Sequence, residues 1–313
     1  MNIHKIVLPT PYPIGDVNAF LVKGDTLTLF DAGPKTQEAY EALKWGINEA
    51  GYNMKDIEQV VLTHHHPDHA GWVDAFPNAD ILGHEYVDHW MRKTEEFITY
   101  RNNFYRKQLK LQAVPEKYIE KIVQVRGEME LFGTTPLTAF INDGDEVPGH
   151  PGLKAVYTPG HAQSHLIFLD QSTNEAIGGD LLLENVASNP LVEPPVDLSE
   201  TRPKSLIQYQ DSLKILHDLH VSKIYTGHGN EIEDIDRLIT IRLEKDRLRA
   251  LQVLEILNKP KSVLEVTMEL YASVYQKQLG LTLSKTLGQL DCLERDGFVT
   301  HEIVDGINIY SRI

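Results

Sequence analysis

One short stretch limits the folds open to this chain more than any other. The sequence between Leu62 and Gly71 is LTHHHPDHAG, and it places four potential metal ligands within six residues: His64, His66, Asp68 and His69. Imidazole and carboxylate are ligands that Zn²⁺ prefers. The run is a poor helix or strand former, but an apolar strand (Val60–Leu62) leads into it and an apolar helical pattern opens at Ala70. This strand-loop-helix context favours an active-site loop over a surface His-rich loop that scavenges metal.

Further polar side chains follow predicted strands elsewhere in the chain. They occur in four short motifs, each after an apolar run or a glycine turn: Asp31-Ala32-Gly33, Thr158-Pro159-Gly160-His161, Gly178-Gly179-Asp180 and Gly227-His228-Gly229. Every candidate ligand therefore lies at the carboxyl end of a predicted strand or on the loop after it. A random scatter of the chain's 14 histidines would not produce this pattern. His84 also follows a predicted strand, but a lone strand-end histidine is more often structural, so we leave it out of the site. We interpret His165 as a pocket residue at most.

Together these motifs resemble the signature of the metallo-β-lactamase superfamily, over roughly residues 3–230. The resemblance implies an α/β fold, the four-layer αββα sandwich of that superfamily. It also implies the ligand set: one metal on His64, His66 and His161, a second on Asp68, His69 and His228, and Asp180 as the bridge between them. Asp31 is implied to lie near the metals and to support their ligands, although a plain turn residue is the alternative.

The resemblance further implies a binuclear metal-dependent hydrolase that uses a metal-bridging hydroxide. Two metal ions that share one water lower its pKa towards about 7, so no nucleophilic side chain is needed. Asp68 is implied to orient that hydroxide and later to protonate the leaving group. Zinc is the favoured metal, with manganese or iron as alternatives. Asp180 stands where the lactamase branch often has a cysteine, which favours a thioesterase, lactonase or nuclease.

Three functions remain open at this point. The first is hydrolysis of a small-molecule thioester, ester or lactone. The alternative is a phosphodiesterase or endoribonuclease acting on single-stranded RNA. The third is a DNA-binding regulator with a metal-sensing body, which the complete ligand set disfavours because a regulator needs no open-coordinated metal pair.

The sequence also predicts a division of the chain. Residues 1–240 would form the catalytic domain, with a helical insertion at 86–137, and residues 241–313 a small domain that resembles a winged helix. The insertion is rich in aromatic and basic residues, among them Arg101 and Arg106. It either packs its aromatic side chains on the body or forms a cap that receives an anionic group of the substrate. The last domain serves either packing and dimerisation or DNA binding, and its second predicted helix is poor in basic residues.

Composition and charge limit the partners. The chain has 313 residues, of which 42% are hydrophobic, and its formal net charge is −15, which disfavours general nucleic-acid binding by its surface. No apolar run reaches the ~18 residues of a membrane helix, and the first residues lack the pattern of a signal peptide. Together with the single cysteine, Cys292, this predicts a cytoplasmic protein without membrane contact. We expect a small-molecule substrate, and a homodimer remains open.

Overall fold

Two β-sheets packed face to face form the centre of the molecule. The computed structural model of the chain describes residues 2–124, 129–197 and 199–313. The strands β1 to β13 have these bounds, in order: Ile3–Leu8, Val17–Lys23, Leu27–Phe30, Gln59–Val61, Asp80–Gly83, Ala139–Phe140, Leu153–Tyr157, Leu166–Asp170, Glu175–Gly179, Lys223–Thr226, Lys261–Ser262, Val299–Val304 and Ile307–Arg312. The first sheet contains β1 to β6 in chain order, and the second has the order β10-β9-β8-β7.

The strand directions bring the predicted motifs to one edge. Strands β3 and β4 are parallel, and so are β9 and β10. Strand β7 is antiparallel to β8, which is antiparallel to β9, so β7 runs in the same direction as β9. Carboxyl ends of parallel strands meet at one edge of a sheet, where ligands of α/β folds bind. The two sheets therefore place their motif-bearing loops side by side.

Helices cover the outer faces of both sheets. The helices α1 to α9 have these bounds, in order: Gln37–Glu49, Pro67–Ala70, Glu85–Arg92, Glu95–Leu111, Glu116–Val123, Ser205–Asp218, Ile235–Ile256, Val263–Leu270 and Leu279–Arg295. Short 3₁₀ turns occupy Met54–Asp56 and Trp72–Ala75. The inner faces of the two sheets share one apolar core, while α1 packs on the outer face of the first sheet and α6 and α7 on that of the second. The expected αββα layering is confirmed.

Helix α1 illustrates how local sequence decides these elements. The spacing predicts a helix from Thr36 to Ala50, and the structure has it at Gln37–Glu49 with Thr36 as its N-cap. The Thr36 hydroxyl accepts a hydrogen bond from the Ala39 amide at 3.2 Å, which satisfies one free N–H of the first turn. Leu43 and Ile47 are completely buried against the sheet. A helical apolar period and a good cap were sufficient signals here.

The predicted insertion is helical, and it shares a core with the end of the chain. Helices α4 and α5 lie within it, and its residues 125–128 lie outside the described part of the structure. Leu109, Ile119 and Val123 pack in one apolar cluster with Leu283 and Leu287 of α9. The predicted division at residue 240 falls within the continuous helix α7, and the division into domains stays a prediction.

The last residues form a strand, two helices and a hairpin, in the expected order. Strands β12 and β13 pair antiparallel around Asp305 and Gly306, and β11 joins β13 as the third strand. Cys292 is buried, as expected for a core residue. The resemblance of this part to a winged helix stays a prediction. Among the described residues, no helix is both long enough and apolar enough to cross a membrane.

Candidate metal centre

All seven predicted ligands meet between the ends of the two sheets. His64, His66, Asp68 and His69 lie on the loop after β4 and on α2, while His161, Asp180 and His228 follow β7, β9 and β10. Their ligand atoms form three sets, and the atoms of each set lie within 4.8 Å of one another. The sets are His64, His66 and His161; His64, His69 and Asp180; and Asp68, His69 and His228. The geometry thus brings together the residues that the strand-end pattern selected.

Asp31 positions the histidine loop, residues 63–69, through three hydrogen bonds. Its carboxylate accepts hydrogen bonds from the Thr63 amide and the Thr63 hydroxyl, both at 2.8 Å, and from His69 Nδ1 at 2.7 Å. Asp31 has a φ of 60°, a left-handed conformation that Asp tolerates better than most residues. With Nδ1–H of His69 donated to Asp31, His69 Nε2 faces the centre, which is the usual arrangement of a metal-binding histidine.

His64 and His66 present lone pairs to the same point. The Thr63 hydroxyl donates to Asp31, so it accepts from His64 Nδ1 at 2.9 Å and leaves His64 Nε2 unprotonated. His66 Nε2 faces the Glu193 carboxylate at 3.4 Å, which leaves His66 Nδ1 unprotonated. These two free nitrogens lie 3.0 Å apart. Two facing lone pairs repel each other, and a cation between them removes the repulsion.

Apart from Asp68, whose Oδ2 lies 3.4 Å from His228 Nε2, the remaining ligand residues have buried polar atoms that lack hydrogen-bond partners among the described residues. These atoms are His69 Nε2, both ring nitrogens of His161, His228 Nε2 and Asp180 Oδ1. Asp180 lies between the imidazoles, with Oδ1 3.5 Å from His69 Nε2 and Oδ2 3.5 Å from His161 Nε2. Nitrogens about 2.0–2.1 Å from one tetrahedral zinc ion lie roughly 3.3 Å from its other ligand atoms. Unsatisfied buried polar atoms at these separations fit a divalent metal site.

The loop that carries His228 is held by the start of β2. Asn18 donates its backbone N–H to Gly227 O at 2.7 Å and its side-chain amide to Thr226 O at 2.9 Å. His228 Nδ1 lies 2.7 Å from the carbonyl oxygen of Asp16, so its Nε2 faces the centre. A Cβ at Gly227 would come within 2.2 Å of Asp180 Oδ1. Glycine is therefore required here by the close approach of the backbone to the carboxylate.

Glu193 contacts the site but was not predicted from the sequence. Its side chain is buried, with Oε1 3.2 Å from His65 Nε2 and 3.4 Å from His66 Nε2, and Oε2 accepts the Gln163 amide at 2.8 Å. Glu193 lies 127 residues from His66 in the irregular loop after Asp180. No periodicity or motif marks such a residue. The proximity of that loop to a candidate ligand was the only available signal.

His165 and His84 have structural contacts rather than positions in the centre. His165 Nε2 accepts the backbone N–H of Asp180 at 3.1 Å, and its Nδ1 lies 2.9 Å from the Thr158 hydroxyl. Both ring nitrogens of His165 are thus occupied, and the ring positions Asp180. His84 caps helix α3 by accepting the Tyr86 amide at 3.2 Å.

Burial and neighbouring charges set the protonation of the centre. Burial, together with the surrounding imidazoles, holds the pKa of His64 and of His161 well below the usual histidine range. Burial also opposes a charge on His69, but the carboxylates of Asp31, Asp180 and Asp68 outweigh it and raise the pKa of His69 to about 10. The pKa of Asp68 is lowered, because its neighbours His69 and His228 outweigh the effect of burial. Three carboxylates therefore create a strongly negative potential where a cation would lie.

Comparison with known proteins agrees with this geometry. The family model described as "Metallo-beta-lactamase superfamily" matches residues 12–228. The chain belongs to the metallo-β-lactamase superfamily. It is 38% identical over 301 residues to the "Probable metallo-hydrolase YqjP" of Bacillus subtilis, covering 96% of this chain and 94% of that protein. The expected hydrolase class is thereby confirmed.

Two further relatives extend the comparison. A crystal structure of a metallo-β-lactamase family protein from Thermus thermophilus superposes with a TM-score of 0.80 at 26% identity, covering 99% of this chain and 98% of that one. The "Thioesterase pkgB" of Emericella nidulans is 26% identical over 248 residues, covering 76% of this chain and 54% of that protein. Members of this superfamily generally bind divalent metals. The His/Asp clusters of this chain offer ligand atoms that could hold such ions.

Proposed function

We propose that this metallo-hydrolase cleaves a small-molecule thioester with two divalent metal ions, zinc before manganese or iron. The proposed ligands are His64, His66 and His161 for one ion, Asp68, His69 and His228 for the other, and Asp180 between them. The observation that carries the proposal is the convergence of buried, unpartnered nitrogen and carboxylate atoms on one point. In such hydrolases the metal ions supply Lewis acidity and an activated water at neutral pH.

The side chains of the site favour a substrate whose leaving group needs no protonation before it departs. Asp68 has a lowered pKa, so at neutral pH it is a carboxylate that accepts a proton rather than an acid that donates one. It can orient a water by accepting its proton and then pass that proton on. A thiol has a pKa of about 8.5 and leaves as a thiolate without prior protonation, whereas an alcohol or ribose oxygen is far more basic. A thioester therefore suits this site, and the thioesterase name of one relative points the same way.

The endoribonuclease alternative has less support. A nucleic-acid-binding end of the chain would support it, but helix α9 has a buried face from Thr282 to Leu293. Its acidic residue Asp291 forms a two-pronged ion pair with Arg202 at 2.7 and 2.8 Å, and Glu294 accepts from Lys204 at 3.1 Å. A helix docked in this way offers little positive charge to a phosphate backbone.

Initial rates on two substrates test the proposal. The metal-loaded protein would be assayed with a lactoyl-glutathione thioester and with a short single-stranded RNA, and Asp68→Ala would serve as the blank. We expect thioester turnover without RNA cleavage. RNA cleavage that disappears in Asp68→Ala would favour the nuclease alternative instead. Turnover of neither substrate would overturn the thioester assignment and direct the search to lactones.

Metal content provides a second readout. Asp180→Ala is expected to lose bound metal, measured by elemental analysis, and to reduce the hydrolysis rate by about a hundredfold or more, since even residues that merely support a ligand cost 10–100-fold. His217→Ala is the matched control, because His217 is exposed and its ion-pair partner, Asp236, also lies on the surface. Full activity and metal content in Asp180→Ala would contradict the bridging role.

A further inference from the structure

A cavity of about 170 Å³ lies where the insertion, the loop before Glu193 and helix α9 meet. Its walls are mainly apolar, with Leu109 and Ile122 from the insertion, Leu191 and Val192 from the loop, and Leu283 from α9. This is room for a small organic group rather than for a large ligand. None of the residues proposed to hold metal lines the cavity.

The cavity contains one buried cation, Arg101. Its side chain is about nine-tenths buried, and Nη1 donates to Asn102 Oδ1 at 2.9 Å and to the Val123 carbonyl at 3.4 Å. Its Nε has no hydrogen-bond partner, and no carboxylate within the described ranges forms an ion pair with it. The guanidinium is always protonated. The guanidinium carbon lies 5.5 Å from the centroid of the Trp90 ring and 4.9 Å from that of the Tyr105 ring, and these rings offset part of the cost of burying the charge. No described carboxylate offsets the rest, so the site can accept an anion.

A second polar atom in the wall also lacks a partner. The Gln112 side chain is buried, and its Oε1 has no hydrogen bond among the described residues. Because the two ends of an amide are interchangeable by rotation, Gln112 can present either an acceptor or its NH₂ donors to a ligand. Arg101 and Gln112 therefore give an otherwise apolar cavity one polar end.

The composition of the cavity selects the class of anion. One planar guanidinium matches one carboxylate, which it binds through two parallel hydrogen bonds. A phosphate with close to two negative charges needs more positive charge than the described residues of the lining supply. The apolar side chains that form the rest of the wall suit a short hydrocarbon chain attached to that carboxylate.

Two contacts link the wall of the cavity to the histidine loop. The Trp90 ring stacks on the His65 ring at 4.6 Å between centroids, and the Arg101 guanidinium lies 5.5 Å from the centroid of the same Trp90 ring. One aromatic ring thus separates Arg101 from the histidine loop. On the other side, Val192 directly precedes Glu193, which contacts His66.

We propose that this cavity binds the far end of the substrate's acyl chain, and that Arg101 pairs with a terminal carboxylate on that chain. This inference rests on the proposed thioester hydrolysis. Arg101 is then a specificity-determining residue: it selects acyl groups that carry a second, free carboxylate. The basic residue Arg106 has no part in it, because its guanidinium forms a two-pronged pair with Glu120 at 2.8 and 3.0 Å on the surface.

The kinetic test compares two thioesters of the same thiol, an adipoyl and a hexanoyl thioester, which differ in the terminal carboxylate. We expect the full-length protein to prefer the adipoyl substrate in kcat/KM by about tenfold or more, the size of one charge-assisted pair. Arg101→Gln should remove this preference by raising the KM for the adipoyl substrate, without a matching loss of kcat. Arg106→Gln should keep the preference. Equal rates on both substrates in the unmodified protein would overturn the inference and leave thioester hydrolysis standing.

A binding test separates the inference from the proposed function. Hexanoate, hexanol and inorganic phosphate would each be titrated into the full-length protein by calorimetry. Hexanoate should bind, hexanol should not, and Arg101→Gln should weaken hexanoate binding at least about tenfold. Equal hexanoate binding in Arg101→Gln, or tighter binding of phosphate than of hexanoate, would overturn the assignment. If the glutamine variant does not fold, Arg101→Lys, which keeps the charge, takes its place. It should bind hexanoate more weakly than the unmodified protein, because lysine lacks the planar guanidinium.

Discussion

At the scale of single residues, the centre depends on how each imidazole is oriented. Asp31 orients His69, the Thr63 hydroxyl orients His64, and the Asp16 carbonyl orients His228. In each case one ring nitrogen is held by a hydrogen bond so that the other faces the same point. His161 is the exception, because neither of its nitrogens has a partner among the described residues. Its position comes from its backbone, at the tight Pro159-Gly160 turn.

Glu193 should affect metal affinity without belonging to the proposed ligands. Glu193→Gln keeps the size of the side chain but removes the charge that accepts from His65, His66 and the Gln163 amide together. We expect metal affinity to fall about 10–100-fold, measured by competition with a chelator. Glu200→Gln, an exposed position in the same loop, is the control. Unchanged affinity in Glu193→Gln would show that His66 is oriented by other contacts.

At the scale of elements, short connections hold the strand ends in place. The 3₁₀ turn after α2 carries Asp74, whose carboxylate accepts the amides of Thr134 and Thr135, both at 2.8 Å, and pairs with Lys35. This residue joins the 3₁₀ turn after α2 to the last part of the insertion. The pKa of Asp74 is lowered, since the hydrogen bonds from Lys35 and the two threonines outweigh its partial burial.

Asp74→Asn should therefore destabilise the protein in a pH-dependent way. Loss of these bonds is expected to lower the free energy of unfolding at pH 7 by about 1–3 kcal/mol. A carboxylate whose pKa is lower in the folded state stabilises fully above its unfolded pKa of about 3.9, and this contribution is lost as the pH falls further. The difference between the two proteins should shrink below about pH 4. Denaturant unfolding at several pH values measures this difference in free energy of unfolding. Asp80→Asn is the control, because Asp80 is exposed. A difference that does not change with pH would contradict the role given to Asp74.

At the scale of the whole molecule, the insertion and the end of the chain share one core. Leu109 and Ile119 of the insertion contact the same apolar cluster as Leu287 and Tyr310, which lie more than 150 residues later in the sequence. The insertion also has a smaller aromatic cluster, formed by Tyr86, Trp90, Phe97 and Phe132, but its helices α4 and α5 share their apolar cluster with the end of the chain. The predicted domains are therefore expected to unfold together rather than one after the other.

Leu287→Ala tests this coupling. Leu287 is almost fully buried, and its truncation should cost about 2–5 kcal/mol. If the core is shared, hydrogen exchange should become faster in helix α4 as well as in α9, and unfolding should remain a single transition. Leu248→Ala is the control, because Leu248 is half exposed on α7. Faster exchange confined to residues 261–313 would show that the last domain is independent.

The sequence by itself determined the family, the layered fold and the proposed ligands. Each ligand candidate is a His or Asp at a strand end, and strand ends are marked locally by apolar runs and glycine turns. Only the tertiary structure placed Glu193 against His66 and showed that, of the two basic residues named from the sequence, Arg101 lines a cavity while Arg106 pairs with Glu120. Glu193 reaches His66 across 127 residues, and Arg101 meets a cavity built from three distant segments. Such contacts depend on how whole elements pack, and no local period or motif encodes them.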